Sequence, residues 1–314
     1  MSEKKIIAVF GATGAQGGGM ARAILADPDG EFAVRAITRN PQSEKAQELA
    51  KAGAEVVAAN LDDRESIVKV LQGAYGAFVV TNYWEYISVE REKGQIANAA
   101  SAAKAAGLKH VVWSTLPDSR NEIPVDNDRM PTLEGKYNVP HFDGKGEGNA
   151  YFTEAGVPTT FLNTTFYWED FCTFFPLTRT DDGKRAITVP MGERKLSGIA
   201  AEDIGGVALA IFKRGEEFIG KSLNIGGENL TGEQYAAQLS KTLGEDVVYR
   251  PMTFDAFRAL GFPGADDLGN MFQYYYETEE NFAGSRDPES LRKVFPALQD
   301  FATWAEKHKD RFSA

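Results

Sequence analysis

The sequence holds little of the chemistry that sulfur and imidazole supply. Its 314 residues include one cysteine, Cys172, and three scattered histidines, His110, His141 and His308. A single cysteine forms no internal disulfide, which points to a reducing compartment, and histidines so placed make no metal-ligand set, so no metal is expected. Cationic runs are missing as well: none exceeds two residues, and the net charge is −11. The basic stripe that neutralises a phosphate backbone is therefore absent, which argues against direct nucleic-acid binding. No apolar run approaches the ~18 residues of a membrane span. The start, "MSEKKIIAVF", reaches an apolar strand pattern too soon to leave room for a signal peptide. A cytoplasmic protein without membrane association is expected.

Glycine, in contrast, is plentiful at 31 residues. It is concentrated where apolar strands hand over to helices. "KKIIAVF" reads as a central parallel strand covered on both faces, and "GAQGGGMARAILAD" as the helix after it. The alternation continues through "EFAVRAITR", "SEKAQELAKAG", "AEVVAAN", "RESIVKVLQG" and "YGAFVVT", then a long helix from Ser88 to Ala106 and the strand "HVVWST". Strands and helices alternating at this pace predict a parallel sheet with right-handed crossovers. The expected fold is α/β: a Rossmann-type, doubly wound parallel sheet over residues 1–162, with a smaller α/β C-terminal lobe over 163–314. Later segments are expected to complete the sheet. Between Leu116 and His141 the periodicity lapses into a polar, proline-bearing stretch, and a loop of that length in a compact domain is usually functional or mobile.

The motif "GATGAQG", Gly11-Ala12-Thr13-Gly14-Ala15-Gln16-Gly17, sits between a predicted strand and a predicted helix. In that context it predicts a phosphate cradle. Glycines let the backbone approach a pyrophosphate closely, and the helix start aims its N–H groups and positive dipole end at it. The second strand ends at Thr38-Arg39-Asn40, where an NAD-specific fold would carry an acid for the ribose hydroxyls. Arg39 suits a 2′-phosphate instead, so NADP is preferred and NAD second. Asp62, after the third strand, is placed to bond an adenine amino group, and an exposed turn aspartate is the competing reading.

Short-chain reductases use a tyrosine four residues before a lysine, and none of the 11 tyrosines here has one. His141 stands four residues before Lys145 instead, with Ser114 and Thr115 ending the fifth strand. The spacing puts imidazole and ammonium on one helix face. Lys145 is the candidate for cofactor contact, and His141 or Ser114 for assistance in catalysis. An imidazole, whose reference pKa is about 6.5, is a poor proton donor at neutral pH beside a lysine charge. Reductions with a stable product anion, as with quinones, suffer least. The aromatic run "NTTFYWEDFCTFF" offers Phe166, Tyr167 and Trp168 as walls of the nicotinamide side of a cleft, with plain core as the other reading. "MFQYYY" at 271–276 fits core or a partner surface.

Five ordered strings, "GATGAQGG", "TRNP", "TNYWE" (81–85), "HFDGKGE" (141–147) and "GFPGADDLGNMF" (261–272), resemble the NmrA-like family, an atypical branch of the short-chain dehydrogenases, and within it the HSCARG type of NADPH sensor. The resemblance runs over nearly the whole chain. It implies a Rossmann domain binding NADP(H), a smaller C-terminal lobe, and a redox sensor acting through a regulatory protein partner; reduction of quinone-like or activated carbonyl substrates is the alternative. It also implies cofactor contacts from Gly11 to Gly17, Arg39, Asn40, Asp62, Thr81, Asn82, Tyr83, Lys145 and Phe166 to Glu169, and is compatible with a homodimer. The sequence departs from the sensor pattern after "TRNP", where Gln42 and Ser43 replace basic residues. Fewer charges there weaken discrimination between NADP and NAD.

Overall fold

The computed structural model describes residues 4–312. In chain order its main elements are β1 (Lys5–Val9), α1 (Ala15–Leu25), β2 (Phe32–Thr38), α2 (Glu44–Lys51), β3 (Glu55–Ala58), α3 (Arg64–Leu71), β4 (Gly76–Val79), α4 (Val89–Ala106), β5 (His110–Thr115), α5 (Pro140–Glu154) and β6 (Thr159–Asn163). Then follow β7 (Phe166–Tyr167), β8 (Thr178–Arg179), β9 (Arg185–Ile187), β10 (Lys195–Ile199), α6 (Ala201–Lys213), β11 (Ser222–Asn224), β12 (Glu228–Thr231), α7 (Gly232–Leu243) and β13 (Val247–Tyr249). The chain closes with α8 (Phe254–Arg258), α9 (Ala265–Glu277), α10 (Glu279–Phe282), α11 (Pro288–Val294) and α12 (Phe301–Lys307). Two compact units interleave along this order. The first comprises Met1–Pro117, Gly144–Thr164 and Ala201–Leu223; the second comprises Asp118–Asp143, Thr165–Ala200 and Asn224–Ala314.

The first unit carries a seven-stranded sheet in the order β11-β6-β5-β4-β1-β2-β3. Pairing from β3 across to β6 is parallel throughout. This is the Rossmann-type doubly wound fold, and the order reverses between β1 and β4, the switch point where such sheets bind ligands. Local chemistry explains the helix starts: Ser43, Asp63 and Ser88 cap α2, α3 and α4 through their side chains, and Gly107 ends α4 in the left-handed region at φ 66°. Helix α1 differs, with Gly14 at its cap, no side-chain cap bond and no acid in its first turn. Its other end of interest is the packing on α6, where a Cβ on Gly205 would lie 2.0 Å from the Met20 backbone nitrogen. Only glycine permits that approach.

At the start of β5 His110 is fully buried, with Nε2 2.8 Å from Thr160 Oγ1. The Thr160 hydroxyl spends its hydrogen on the Phe218 carbonyl, at 2.8 Å, so the imidazole must donate from Nε2. Nδ1 is then a bare acceptor without a hydrogen-bond partner, and a second proton there would be a buried donor facing nothing. Burial accordingly pushes the His110 pKa down to about 4. Because the folded value lies below the unfolded one of about 6.5, this histidine's contribution is complete above pH ~6.5 and lost as pH falls towards ~4. Urea titrations across that range should show stability falling towards acid, and His110→Gln should flatten the part of the fall that His110 causes. An unchanged slope in the variant would remove His110 as the cause.

The second unit holds two three-stranded sheets, β12-β10-β7 and β13-β9-β8. Its interior is aromatic. Trp168 is fully buried against Phe301 and Trp304, and its indole N–H donates to the Tyr235 hydroxyl at 3.2 Å. Met271, Phe272, Tyr274 and Tyr275 are buried, which resolves "MFQYYY" largely as core. The polar stretch before His141 is tied down rather than loose. Asp143 accepts from Ser119 N (2.8 Å), Ser119 Oγ (2.5 Å), Asn138 N (2.9 Å) and Val139 N (3.2 Å), which joins the two ends of the stretch. Asn270 adds bonds to the Pro131 and Asn138 carbonyls, each 2.7 Å. The absence of periodicity there reflects side-chain to backbone bonding in place of helix or strand ladders.

Candidate functional site

The carboxyl ends of β1 to β5 in the first unit gather most of the residues singled out from sequence. After β1 the loop Phe10–Gly14 turns back on itself, with Gly11 at φ 62° and Gly14 N donating to Gly11 O at 2.8 Å. A Cβ on Gly17 would fall 2.4 Å from the carbonyl oxygens of both Phe10 and Gly11. The third glycine is therefore required by the seating of α1 against the loop. Gln16 accepts a 2.6 Å bond from the Ser114 hydroxyl, which links the start of α1 to the end of β5. Ala12 is buried, whereas Gly11, Gly14 and Ala15 are exposed and Thr13 half-buried, so the loop presents backbone to solvent at the switch point.

Arg39 and Asn40 follow β2 and are exposed. The Arg39 guanidinium is paired with the Glu85 carboxylate and lies 3.4 Å from the Tyr86 hydroxyl. The hydrogen bond from Arg39 holds the Glu85 carboxyl below its ordinary value. Asp62 accepts from Arg91, at 2.7 and 3.3 Å, and from Gln95 at 3.0 Å. The bond from Arg91 is the main reason its carboxyl is also lowered. Arg91 lies over the Tyr86 ring, 3.3 Å from its centroid.

Past β4, Thr81 is buried, Asn82 exposed and Tyr83 buried. The Thr81 hydroxyl donates to Glu92 at 2.7 Å and accepts from the Lys145 ammonium at 2.7 Å. Lys145 also pairs directly with Glu92, closing a triangle of ammonium, hydroxyl and carboxylate. Lys145 is 9% exposed and Glu92 3%, and the second carboxylate oxygen of Glu92 has no hydrogen-bond partner. Beside this triangle, Thr115 and Trp113 both donate to Asn149 Oδ1, each at 2.9 Å, which anchors α5 to β5.

The imidazole and ammonium that the helix spacing put on one face are held by different partners. His141 belongs to the second unit, where its Nδ1 lies 2.6 Å from Asp267 Oδ1 and its backbone N–H donates to Asp267 at 3.2 Å. A carboxylate, that of Asp267, is thus a charged partner of His141. Phe166 to Glu169 also fall in the second unit. Trp168 is core there, as described, and Phe166 is 4% exposed among Phe171, Phe175 and Phe272. Tyr167 and Glu169 are half-buried, and Glu169 accepts from the Trp304 indole at 3.3 Å. Sequence reasoning missed Glu92, Glu85, Arg91 and Asp267. For Glu92 the signal was available, because the buried face of α4 runs Val89, Glu92, Ile96, Ala99 and Ala103, and an acid at that spacing must meet a buried partner. Glu85 and Asp267 lay inside quoted strings, with nothing local to show what they pair with.

Among the described residues no cluster of three or more histidine, cysteine or carboxylate side chains could hold a metal. Nor is any of their helices long and apolar enough to cross a membrane.

A doubly wound sheet with a glycine loop at its switch point defines the class, a Rossmann-type α/β protein. Within that class the chain belongs to the NmrA-like family, whose model matches residues 3–306. It is 33% identical over 258 residues, 78% of this chain and 75% of the other, to the NmrA-like family domain-containing oxidoreductase malD of Malbranchea aurantiaca. To the oxidoreductase FrzB of a Cladobotryum species it is 30% identical over 294 residues, 87% and 84% of the two chains. Among solved structures it resembles NmrA, a negative transcriptional regulator, in complex with NAD: TM-score 0.80, 24% identity, covering 98% of this chain and 95% of that one. The same regulator with NADP matches at TM-score 0.78, 23% identity, and coverage of 98% and 95%. The Citrobacter sp. triphenylmethane reductase complexed with NADP(H) matches at TM-score 0.74, 22% identity, and coverage of 96% and 99%.

Proposed function

We propose that this protein binds a nicotinamide dinucleotide, NADP(H) in preference to NAD, and reduces quinone-like or otherwise activated carbonyl acceptors. The observation that carries this reading is the cradle: Gly11 in the left-handed region, Gly17 seated where no Cβ fits, and an α1 start with neither a side-chain cap nor an acid. The relatives named oxidoreductases support the chemical half of it.

The residues present fit such a group. Backbone from Gly11 to Gly17 would hold the pyrophosphate, Arg39 and Asn40 a 2′-phosphate, Asp62 the adenine amino group, and Thr81, Asn82, Tyr83 and Lys145 the nicotinamide half. When bound, the cofactor supplies a hydride. Lys145 then acts by position: a buried ammonium held by Thr81 and Glu92 would be a fixed donor for ribose hydroxyls. Ser114 orients Gln16 and with it the start of α1. His141 is oriented by Asp267.

A second reading is favoured by one observation. No tyrosine precedes Lys145 by four residues, and the histidine there is held by Asp267. A redox sensor that binds NADPH and NADP with different conformational outcomes, and acts through a protein partner, needs the cradle without the proton donor. Calorimetric titration with NADPH and NADP, followed by nicotinamide absorbance on adding a quinone panel, separates the readings. Oxidation that is lost in Lys145→Ala supports the reductase. Saturable binding with no oxidation of any acceptor overturns it in favour of the sensor, and no binding of either nucleotide overturns both.

A further inference from the structure

We propose that Glu85 is a built-in competitor for the cofactor's 2′-phosphate, and that its pairing with Arg39 sets how strongly this protein distinguishes NADP from NAD. The inference rests on the dinucleotide reading above and goes beyond it by assigning selectivity to an acid.

After β2, β3 and β4 and at the start of α4, Arg39, Asp62, Glu85 and Arg91 form two ion pairs beside the exposed Tyr86. Arg39 pairs with Glu85, and Arg91 pairs with Asp62 while covering the ring face. Two cations and two carboxylates sum to zero. An arginine after β2 is ordinarily counted as a positive receptor for a phosphate, but here that charge is already matched by an acid three residues beyond β4's connecting Asn82. The Arg39 side chain is 58% exposed and that of Glu85 29%, so the pair sits at the surface, where it can open. Opposite charges also couple across the cluster, since Arg39 acts on Asp62 and Arg91 on Glu85.

A 2′-phosphate at Arg39 brings up to two negative charges into the space Glu85 occupies. Glu85 must then leave the guanidinium and remain nearby as an unpaired, repelling acid. The ribose hydroxyl of NAD demands neither. Glu85 therefore weakens NADP and leaves NAD nearly untouched, which holds the preference of Arg39 in check. Gln42 and Ser43, which follow Arg39 closely in the chain, are neutral and bring no cation to offset Glu85, and Arg91 is itself engaged by Asp62.

The test is Glu85→Gln, a change at a partly exposed position that keeps the side-chain shape. By calorimetry at low and physiological salt, NADP affinity should rise roughly tenfold in the variant at low salt and less at high salt, while NAD affinity stays within about twofold. If wild-type protein binds both nucleotides and the variant leaves their affinity ratio unchanged, or raises both alike, this inference falls alone. If wild-type protein binds neither, the dinucleotide reading falls and takes this inference with it.

Discussion

Glu92→Ala should cost about 3–5 kcal/mol of folding stability, the largest single effect expected outside the sheet core. Glu92 is 3% exposed and, among the described residues, is the carboxylate paired with the Lys145 ammonium, which is itself 9% exposed. Removing it leaves a buried positive charge with the Thr81 hydroxyl as its remaining hydrogen-bond partner among the described residues. The wild-type pair need not be strongly stabilising for this to hold, because desolvation of two ions largely offsets their attraction. Breaking a buried pair is costly; replacing both members is not. The double variant Glu92→Met with Lys145→Met should therefore recover most of the loss, giving a coupling above ~2 kcal/mol in a double-mutant cycle. Urea denaturation of the four proteins checks this. A Glu92→Ala cost below ~1 kcal/mol would mean that the triangle is open to water in solution.

Gly17→Ala should lower dinucleotide affinity by about 100-fold, a displacement effect of the kind that follows from moving a binding group by ~1 Å. Its Cβ would sit 2.4 Å from two backbone carbonyl oxygens, neither able to retreat without moving the loop or the end of β1. The start of α1 must shift instead, and with it the N–H groups aimed at the pyrophosphate. Overpacking at such a site costs about 1–3 kcal/mol in stability, so the variant should fold. Gly18→Ala is the milder comparison, since its Cβ would meet the Arg22 guanidinium at 3.0 Å, the mobile end of a long side chain, and the Ala12 carbonyl oxygen at 3.2 Å, a contact relieved by a few tenths of an ångström. Calorimetry on both variants separates the cradle from general damage to α1. Equal losses in the two would show that helix packing, not loop seating, governs binding.

These two expectations differ in how they could be reached. Gly17 stands out in the sequence because strand, glycines and helix follow one another within a dozen residues, and the stereochemistry of that turn is local. Glu92 is a partner of Lys145 only through the tertiary fold, the two being 53 positions apart in the chain. The same contrast runs through the molecule. Strands β1 to β6 and the helices between them fall close to where apolar periodicity, caps and glycines put them, since those signals act within a few residues. The polar stretch before His141 had no periodicity to read, because Asp143, Asn270 and Gln273 satisfy its backbone from other parts of the chain.

The sequence by itself determined the Rossmann-type sheet, the glycine loop at its switch point, the absence of a Tyr-Lys pair and the family. Each depends on local pattern or on residue identity. Only the tertiary structure decided that Lys145 answers to Glu92, that His141 answers to Asp267, that Arg39 is already held by Glu85, and that Trp168 is core. Charge pairing and burial join residues far apart in the chain, and no local pattern encodes which buried acid will face which base.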